Sequence, residues 1–517
     1  MHPRLIQIEA ARLRNPCPTA SSTTFPRDRD SLHLRNLHNC TPSPYGVGVI
    51  DRDRLAALRA AEEERFVETH PRSRELAGEA QQSLLAGVPM PWMTRWAGEF
   101  PLFVDHARGA AFTDVDGHDY VDLCLGDTGA MTGHALPAVA QALEERAAHG
   151  FTTMLPSSDA AWVGAELTRR FGMARWQFAM TATDANRFVL RFARFLTGRP
   201  RICVMDWCYH GTVDETLAVL EGPGSDRVVP RPGAMGPQVD VAETTRVVPF
   251  NDIDALDRAL AHGDVAVLLM EPALTNIGIV LPDPGYLEQV REVTRRHDVL
   301  LVMDETHTLC AGPGGATRAW GLEPDMVVVG KPIGGGVPVA AYGMTSEVAA
   351  RIEPAMIGHE IDVAGVGGTL TGSALALAAA RATLSHSLRE EDFDVAIPLA
   401  RRWAEGVAYV IAEHDLPWHV QRLGCRAEYW FCPPARTGAD AAAAVDEELE
   451  GFMHLWALNR GILLTPFHNM ALFSPHHTAA DVDHHTDVFR GAVHALLGIS
   501  EQTLDPPVGM GGDTGRR

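Results

Sequence analysis

Lys331 is the only lysine in 517 residues, set against 43 arginines among the 44 basic side chains. Arginine serves wherever a fixed positive charge is enough, but its guanidinium stays protonated and does not attack carbonyl groups. A desolvated lysine does attack them, through the lone pair of its amine. One lysine, placed in Gly330-Lys331-Pro332, therefore points to amine chemistry at that position. Other reactive side chains lie in comparable settings. Thr181-Ala182-Thr183-Asp184 follows the apolar run 176–180, and Cys208-Tyr209-His210-Gly211 follows 202–205. Glu271-Pro272 follows 265–270, Asp304-Glu305-Thr306-His307 follows 299–303, and Lys331 itself follows 326–329.

Each of these runs reads as a buried strand, and amphipathic stretches separate them. In 184–196, Arg187, Arg191 and Arg194 share one helical face, while Val189, Leu190, Phe192, Ala193 and Leu196 supply the other. Strand and helix alternating at this spacing predict an α/β fold with a mostly parallel central sheet flanked by helices. Ligands in such sheets bind outside the carboxyl ends of the strands, so five polar strand ends predict one crevice. Elsewhere, 51–85 reads as helix, 90–96 as a Pro-broken aromatic segment, and 109–122 as a hairpin turning at Asp116-Gly117. After 375 the chain is Ala-rich and helical, with weaker strands at 427–431 and 462–464. The expected organisation is a disordered extension over 1–45, a helical and hairpin segment over 46–125, and a large domain over 126–375. A smaller C-terminal α/β domain over 376–505 and a disordered tail over 506–517 complete it.

Composition narrows the function. The formal net charge of -22 opposes nucleic acid and anionic membrane surfaces. The apolar runs are far short of the ~20 residues that span a bilayer, and no secretory h-region follows Met1. The eight cysteines form no CxxC pair, which fits a reducing, cytoplasmic setting. The pairs His476-His477 and His484-His485 lack a zinc-binding spacing; they read as a helix start capped by Thr478, with Asp481 and Asp483 in its first turns.

Four segments together carry a family resemblance: GKPIGGGVPVAAYGM around Lys331, MDETHT at Asp304, EPALTNIGIVLPDPGYL from Glu271 and CYHGTVDET from Cys208. The chain, from about 85 to 495, resembles the class III aminotransferases, fold-type I enzymes dependent on pyridoxal 5'-phosphate (PLP), and within them the glutamate-1-semialdehyde aminomutase branch. The resemblance implies that Lys331 is the Schiff-base lysine and proton carrier, and that Asp304 faces the pyridine nitrogen so that the ring acts as an electron sink. It places Tyr209 against the cofactor ring with His210 beside it, Ala182 and Thr183 at the phosphate, and Glu271 and Asn276 near the ring. Gly368 and Thr369 resemble a pair lent to the phosphate by a neighbouring subunit, which implies a homodimer with shared active sites.

The resemblance also nominates substrate residues: Arg95 and Arg426 for a carboxylate, and Thr128 and His468 in the pocket walls. The chain departs from the family pattern at Ala182 for a usual glycine, Asp184 for a glutamate, Thr128 for a bulkier aromatic in the aminomutase, and His468-Asn469 for an acidic pattern in the aminomutase. The implied activity is transfer of an amino group between an amino acid or amine and an oxo acceptor. An intramolecular aminomutase is the alternative, and a catalytically idle PLP-binding interaction protein is the rival from another class.

Overall fold

The computed structural model describes residues 50–236, 239–360, 362–465 and 467–499, all within one unit, Pro42–Arg517. The extension expected over 1–45 and the tail expected over 506–517 lie outside the described residues. A run such as VAVLLM can satisfy its backbone and hide its side chains only inside a sheet covered on both faces, and Val265–Met270 is buried throughout. Seven strands form that sheet: β1 Arg175–Ala179, β2 Arg201–Met205, β3 Thr245–Val248, β4 Val265–Met270, β5 Leu300–Asp304, β6 Met326–Val329 and β7 Ala340–Met344. Their order is β1-β7-β6-β5-β4-β2-β3. Only β7 runs against its neighbours, pairing antiparallel with β6 and with β1. The mostly parallel α/β sheet expected from the sequence is therefore present, with the five expected strands displaced by no more than a residue at either end.

Helix α1, Ala182–Thr197, follows β1. Thr181 caps it by accepting from the Asp184 N–H at 3.2 Å, and Gly198, at φ 68°, ends it. Its buried side chains include Ala185, Phe188, Val189, Phe192 and Ala193, which seat it on the sheet. Burying each large apolar side chain is worth roughly 1.5–3 kcal/mol, so the packing fixes where the N-terminus of α1 points.

Besides the antiparallel pair Ala218–Leu220 and Val228–Pro230, two smaller sheets complete the unit. Val104–Arg108, Ala111–Asp114 and Asp119–Asp122 form the expected hairpin region, with Gly117 at φ 88° in the turn. Ile462–Leu463 pairs in parallel with this sheet, at Val121 and Asp122, rather than with the C-terminal strands. His419–Leu423, Arg426–Trp430 and Met470–Leu472 form the other sheet, and the Trp403 ring stacks 6.1 Å from that of Tyr429. The helix expected over 51–85 is instead two helices, Arg52–Thr69 and Pro71–Ala80, because Pro71 lacks the N–H that would continue the first. Thr478 and Asp481 form a capping box at the start of Ala479–Leu497, as the sequence predicts. No helix among the described residues is long and apolar enough to cross a membrane.

Candidate active site

The carboxyl ends of β1, β2, β4, β5 and β6 open onto one cavity of about 340 Å³. Of the residues nominated from the sequence, Ala182, Thr183, Tyr209, His210, Glu271, Asp304 and Lys331 line it. Lys331 stands directly after β6, at φ 48°, a left-handed conformation that non-glycine residues seldom adopt. Its Nζ donates to Asp127 Oδ2 at 2.8 Å and lies 2.9 Å from His307 Nε2. Burial opposes charge on Asp127, but the Lys331 ammonium beside it overrides that and holds the carboxyl far below its usual range.

Asp304 ends β5 and is 3% exposed. Its Oδ2 accepts from Asn186 Nδ2 at 2.8 Å and from His210 Nδ1 at 2.9 Å, while Oδ1 accepts from the Thr306 N–H at 3.1 Å and its hydroxyl at 2.5 Å. Burial penalises both charges of the His210–Asp304 pair. Cys208 and the contact with Asp304 outweigh that penalty at His210 and raise its pKa well above the ordinary value, while the His210 contact holds the Asp304 carboxyl down. The result is a buried carboxylate braced by four donors. Asn186 also donates to the His210 carbonyl at 3.1 Å, tying α1 to the turn after β2.

Another part of the cavity lining suits an anion. The N-terminus of α1 delivers the free N–H groups of its first turn at Ala182 and Thr183. Thr183 Oγ1 accepts from the Thr212 N–H at 3.1 Å, which leaves its own proton to donate elsewhere. Gly211, at φ 80°, packs so closely that a Cβ there would overlap Thr183 Oγ1. Asp184, the departure from the family glutamate, turns away and accepts from the Thr181 hydroxyl at 3.0 Å, so its charge stays out of this cradle. Glu271 is buried, accepts from the Thr275 hydroxyl and keeps Oε1 without a partner; burial pushes its pKa up.

A buried carboxylate, an anion cradle and an amine around one cavity match a phosphorylated pyridine aldehyde. Glu271 Oε1, buried and without a protein partner, is a further polar atom for a bound group to meet.

The remaining nominated residues stand elsewhere. Asn276 is 3.5 Å from Glu271 Oε2 and outside the cavity lining. Gly368, Thr369 and Arg95 are exposed and also outside it. Thr128 and Arg426 are fully buried behind the wall, each 3.0 Å from His307 Nδ1. His468 lies 3.3 Å from Glu428, itself buried. Sequence reasoning gave no role to Asn186, Asp127, His307 or Trp92. Of these, His307 stands inside the strand-end run that begins at Asp304, and the signal for Asn186 was its helical spacing, one turn beyond Thr183. Trp92 places its ring 5.5 Å from that of Tyr209.

Comparisons with known proteins agree with this geometry. The family model described as Aminotransferase class-III matches residues 92–427. Glutamate-1-semialdehyde 2,1-aminomutase from Anaeromyxobacter dehalogenans is 33% identical over 79% of this chain and 95% of its own. The protein named glutamate-1-semialdehyde 2,1-aminomutase 2 from Exiguobacterium sibiricum is 32% identical over 75% of this chain and 88% of its own. Among solved structures, a glutamate-1-semialdehyde aminomutase from Pseudomonas aeruginosa is 48% identical with TM-score 0.85, covering 87% of this chain and all of that one. A lysine-to-alanine variant of that enzyme is known in complex with PMP. An omega-transaminase from Sphaerobacter thermophilus is 26% identical with TM-score 0.75, over 83% of this chain and 99% of that one. The match over most of the chain, on a fold-type I scaffold whose strand ends gather one lysine, one braced carboxylate and an anion cradle, makes this protein a PLP-dependent member of the class III aminotransferase family.

Proposed function

We propose that this enzyme transfers an amino group between an amino acid or amine and an oxo acceptor, with Lys331 as the reacting amine. The observation that carries the proposal is the gathering of three features around one cavity: Lys331 Nζ, the Asp304–His210 pair and the N-terminus of α1. When bound, PLP supplies an electron sink for a carbanion on the carbon that bears the amine. The residues of the chain do the rest. Lys331 is the residue that would hold the cofactor through its aldehyde group, and its amine would carry the proton once free. Asp304, kept ionised by His210, holds a proton on the pyridine nitrogen. Ala182 and Thr183 bind the phosphate, and Tyr209 orients the ring.

Transfer is favoured over isomerisation by the wall next to Lys331. Thr128 is small and turned to His307, so Gly129 is the loop residue that lines the cavity. A wall this bare suits release of one product and entry of a second substrate. The aminomutase reading is supported by the names of the relatives at 32–33% and 48% identity. Incubating the PLP form with an amino donor alone separates the readings. Transfer yields free oxo product and aminated cofactor in equal amounts; a mutase yields an isomer with no lasting change in the cofactor; an idle PLP-binding protein yields neither.

We also propose a homodimer in which Thr369 serves the site of the other subunit. Gly368 and Thr369 are exposed on the protomer, and Val363, Leu370 and Ile357 expose apolar surface beside them in sequence.

A further inference from the structure

We infer that His307 is a positioning residue for Lys331, held by Arg426 in the tautomer that presents Nε2–H to Nζ. This rests on the reading of Lys331 as the reacting amine. Arginine carries only donors, and an N–H of Arg426 Nη1 points at His307 Nδ1 from 3.0 Å. Nδ1 must therefore accept. The Thr128 hydroxyl, 3.0 Å from the same nitrogen, is placed to donate as well. A ring whose Nδ1 accepts carries its proton on Nε2, which is the nitrogen 2.9 Å from Lys331 Nζ. A doubly protonated ring would set N–H against N–H at Arg426. Burial, with Lys331 and Arg426 nearby, likewise keeps His307 neutral.

Nζ thus lies between two neighbours of opposite kind. Asp127 Oδ2 accepts an N–H from it at 2.8 Å, and the imidazole N–H of His307, at 2.9 Å, finds an acceptor at Nζ only in the neutral amine, the form that attacks a carbonyl, and not in the ammonium that pairs with Asp127. An amine aimed from two directions loses the rotational freedom of a four-carbon stem before any substrate arrives. The assignment also changes what Arg426 does. It is completely buried, Nη1 is committed to His307 and Nη2 donates to the Thr275 carbonyl at 2.7 Å. Arg426 acts through His307, and a substrate carboxylate must find its partner elsewhere.

The test is the position of one proton. In protein labelled with ¹⁵N-histidine and free of cofactor, the His307 ring signals are those missing from His307→Gln. The expected pattern is an unprotonated Nδ1 and a protonated Nε2; a proton on Nδ1, or on both nitrogens, overturns the inference. In Arg426→Met the fixed tautomer should give way to a mixture. If that variant does not fold, the pattern in the native chain decides.

A second readout is the rate at which cofactor-free protein captures added PLP, followed by absorbance. His307→Phe should capture it about tenfold more slowly, and His307→Gln, whose amide can also donate, should recover most of the loss. Native-rate capture by His307→Phe, with borohydride still labelling Lys331, refutes the inference alone. Failure of borohydride to label Lys331 instead refutes the reading on which it rests and leaves the tautomer measurement standing.

Discussion

Asp304→Asn removes one charge and changes almost nothing in size. In the native site Oδ2 takes N–H donors from Asn186 and His210, and Oδ1 takes the Thr306 N–H and hydroxyl. An asparagine has one carboxamide oxygen, so whichever pair of donors its NH₂ faces loses its acceptor. Hydrogen bonds to charged groups contribute about 1.5–3 kcal/mol each, and removing one partner of a buried ion pair costs about 3–5 kcal/mol. The folded protein should therefore lose on the order of 3–5 kcal/mol, reduced if the imidazole gives up its proton. The cost should depend on pH with a definite sign. His210 has a raised folded pKa, so its share is complete below the ordinary histidine value and disappears as pH rises through the raised one. Asp304 has a lowered folded pKa, so its share is present above the ordinary carboxylate value and disappears as pH falls through the lowered one. The stability gap between native and variant protein should be widest between about pH 4 and 6.5 and should narrow at high pH, where only the Asn186 and Thr306 bonds to the carboxylate remain. Turnover should fall on the order of 100-fold or more, because the cofactor ring loses the carboxylate that keeps it protonated. The assays are urea unfolding of the cofactor-free protein across pH, and single-turnover absorbance of the PLP form with an amino donor. A pH-independent gap together with native half-reaction rates would refute the assignment of Asp304 as the ring partner.

Three further outcomes are expected. Gly211→Ala should abolish tight PLP loading while the fold persists, because φ 80° and the Thr183 hydroxyl leave no room for a methyl group; unchanged loading in equilibrium dialysis would contradict the cradle. In mixed dimers pairing a Lys331→Ala chain with a Thr369→Ala chain, the site with intact Lys331 should bind PLP at native strength if Thr369 acts across the interface; weak binding there would show that Thr369 serves its own chain. Burial, with Glu428 nearby, pushes the Glu450 carboxyl up to about 8, so its contribution favours the fold most below the ordinary carboxylate value and declines as pH rises towards 8. Glu450→Gln should therefore raise the melting temperature more at pH 8 than at pH 5, and an equal shift at both would contradict the buried acid.

Much of the site was legible because its chemistry is tied to strand ends, and buried strands announce themselves by composition. Val265–Met270 and Met326–Val329 fall where the apolar runs predict. Strand β7 escaped notice because AAYGM has little β-branched or aliphatic bulk. Gly343 is there for close approach, since a Cβ would come within 2.7 Å of the Trp176 ring. The pairing of Ile462–Leu463 with Val121 and Asp122 spans more than 300 residues, and no local pattern encodes it. The same limit hid the group around His307. Thr128 and Arg426 are 179 and 119 residues away from it in sequence, so each looked like a substrate contact until the fold set both against one imidazole nitrogen.

The central claim, that the single lysine is the reacting amine, meets its most direct test in borohydride reduction of the PLP-loaded protein followed by tryptic mapping. Arg318 and Arg351 are the flanking cleavage sites, and Lys331 itself is followed by Pro332, so the residue of interest falls in one peptide, 319–351. The account predicts one reduced cofactor per chain, all of it on that peptide at Lys331, and none in Lys331→Ala. Protein that binds PLP tightly yet gives an unlabelled 319–351 peptide, or that carries the label at another amine, would contradict it.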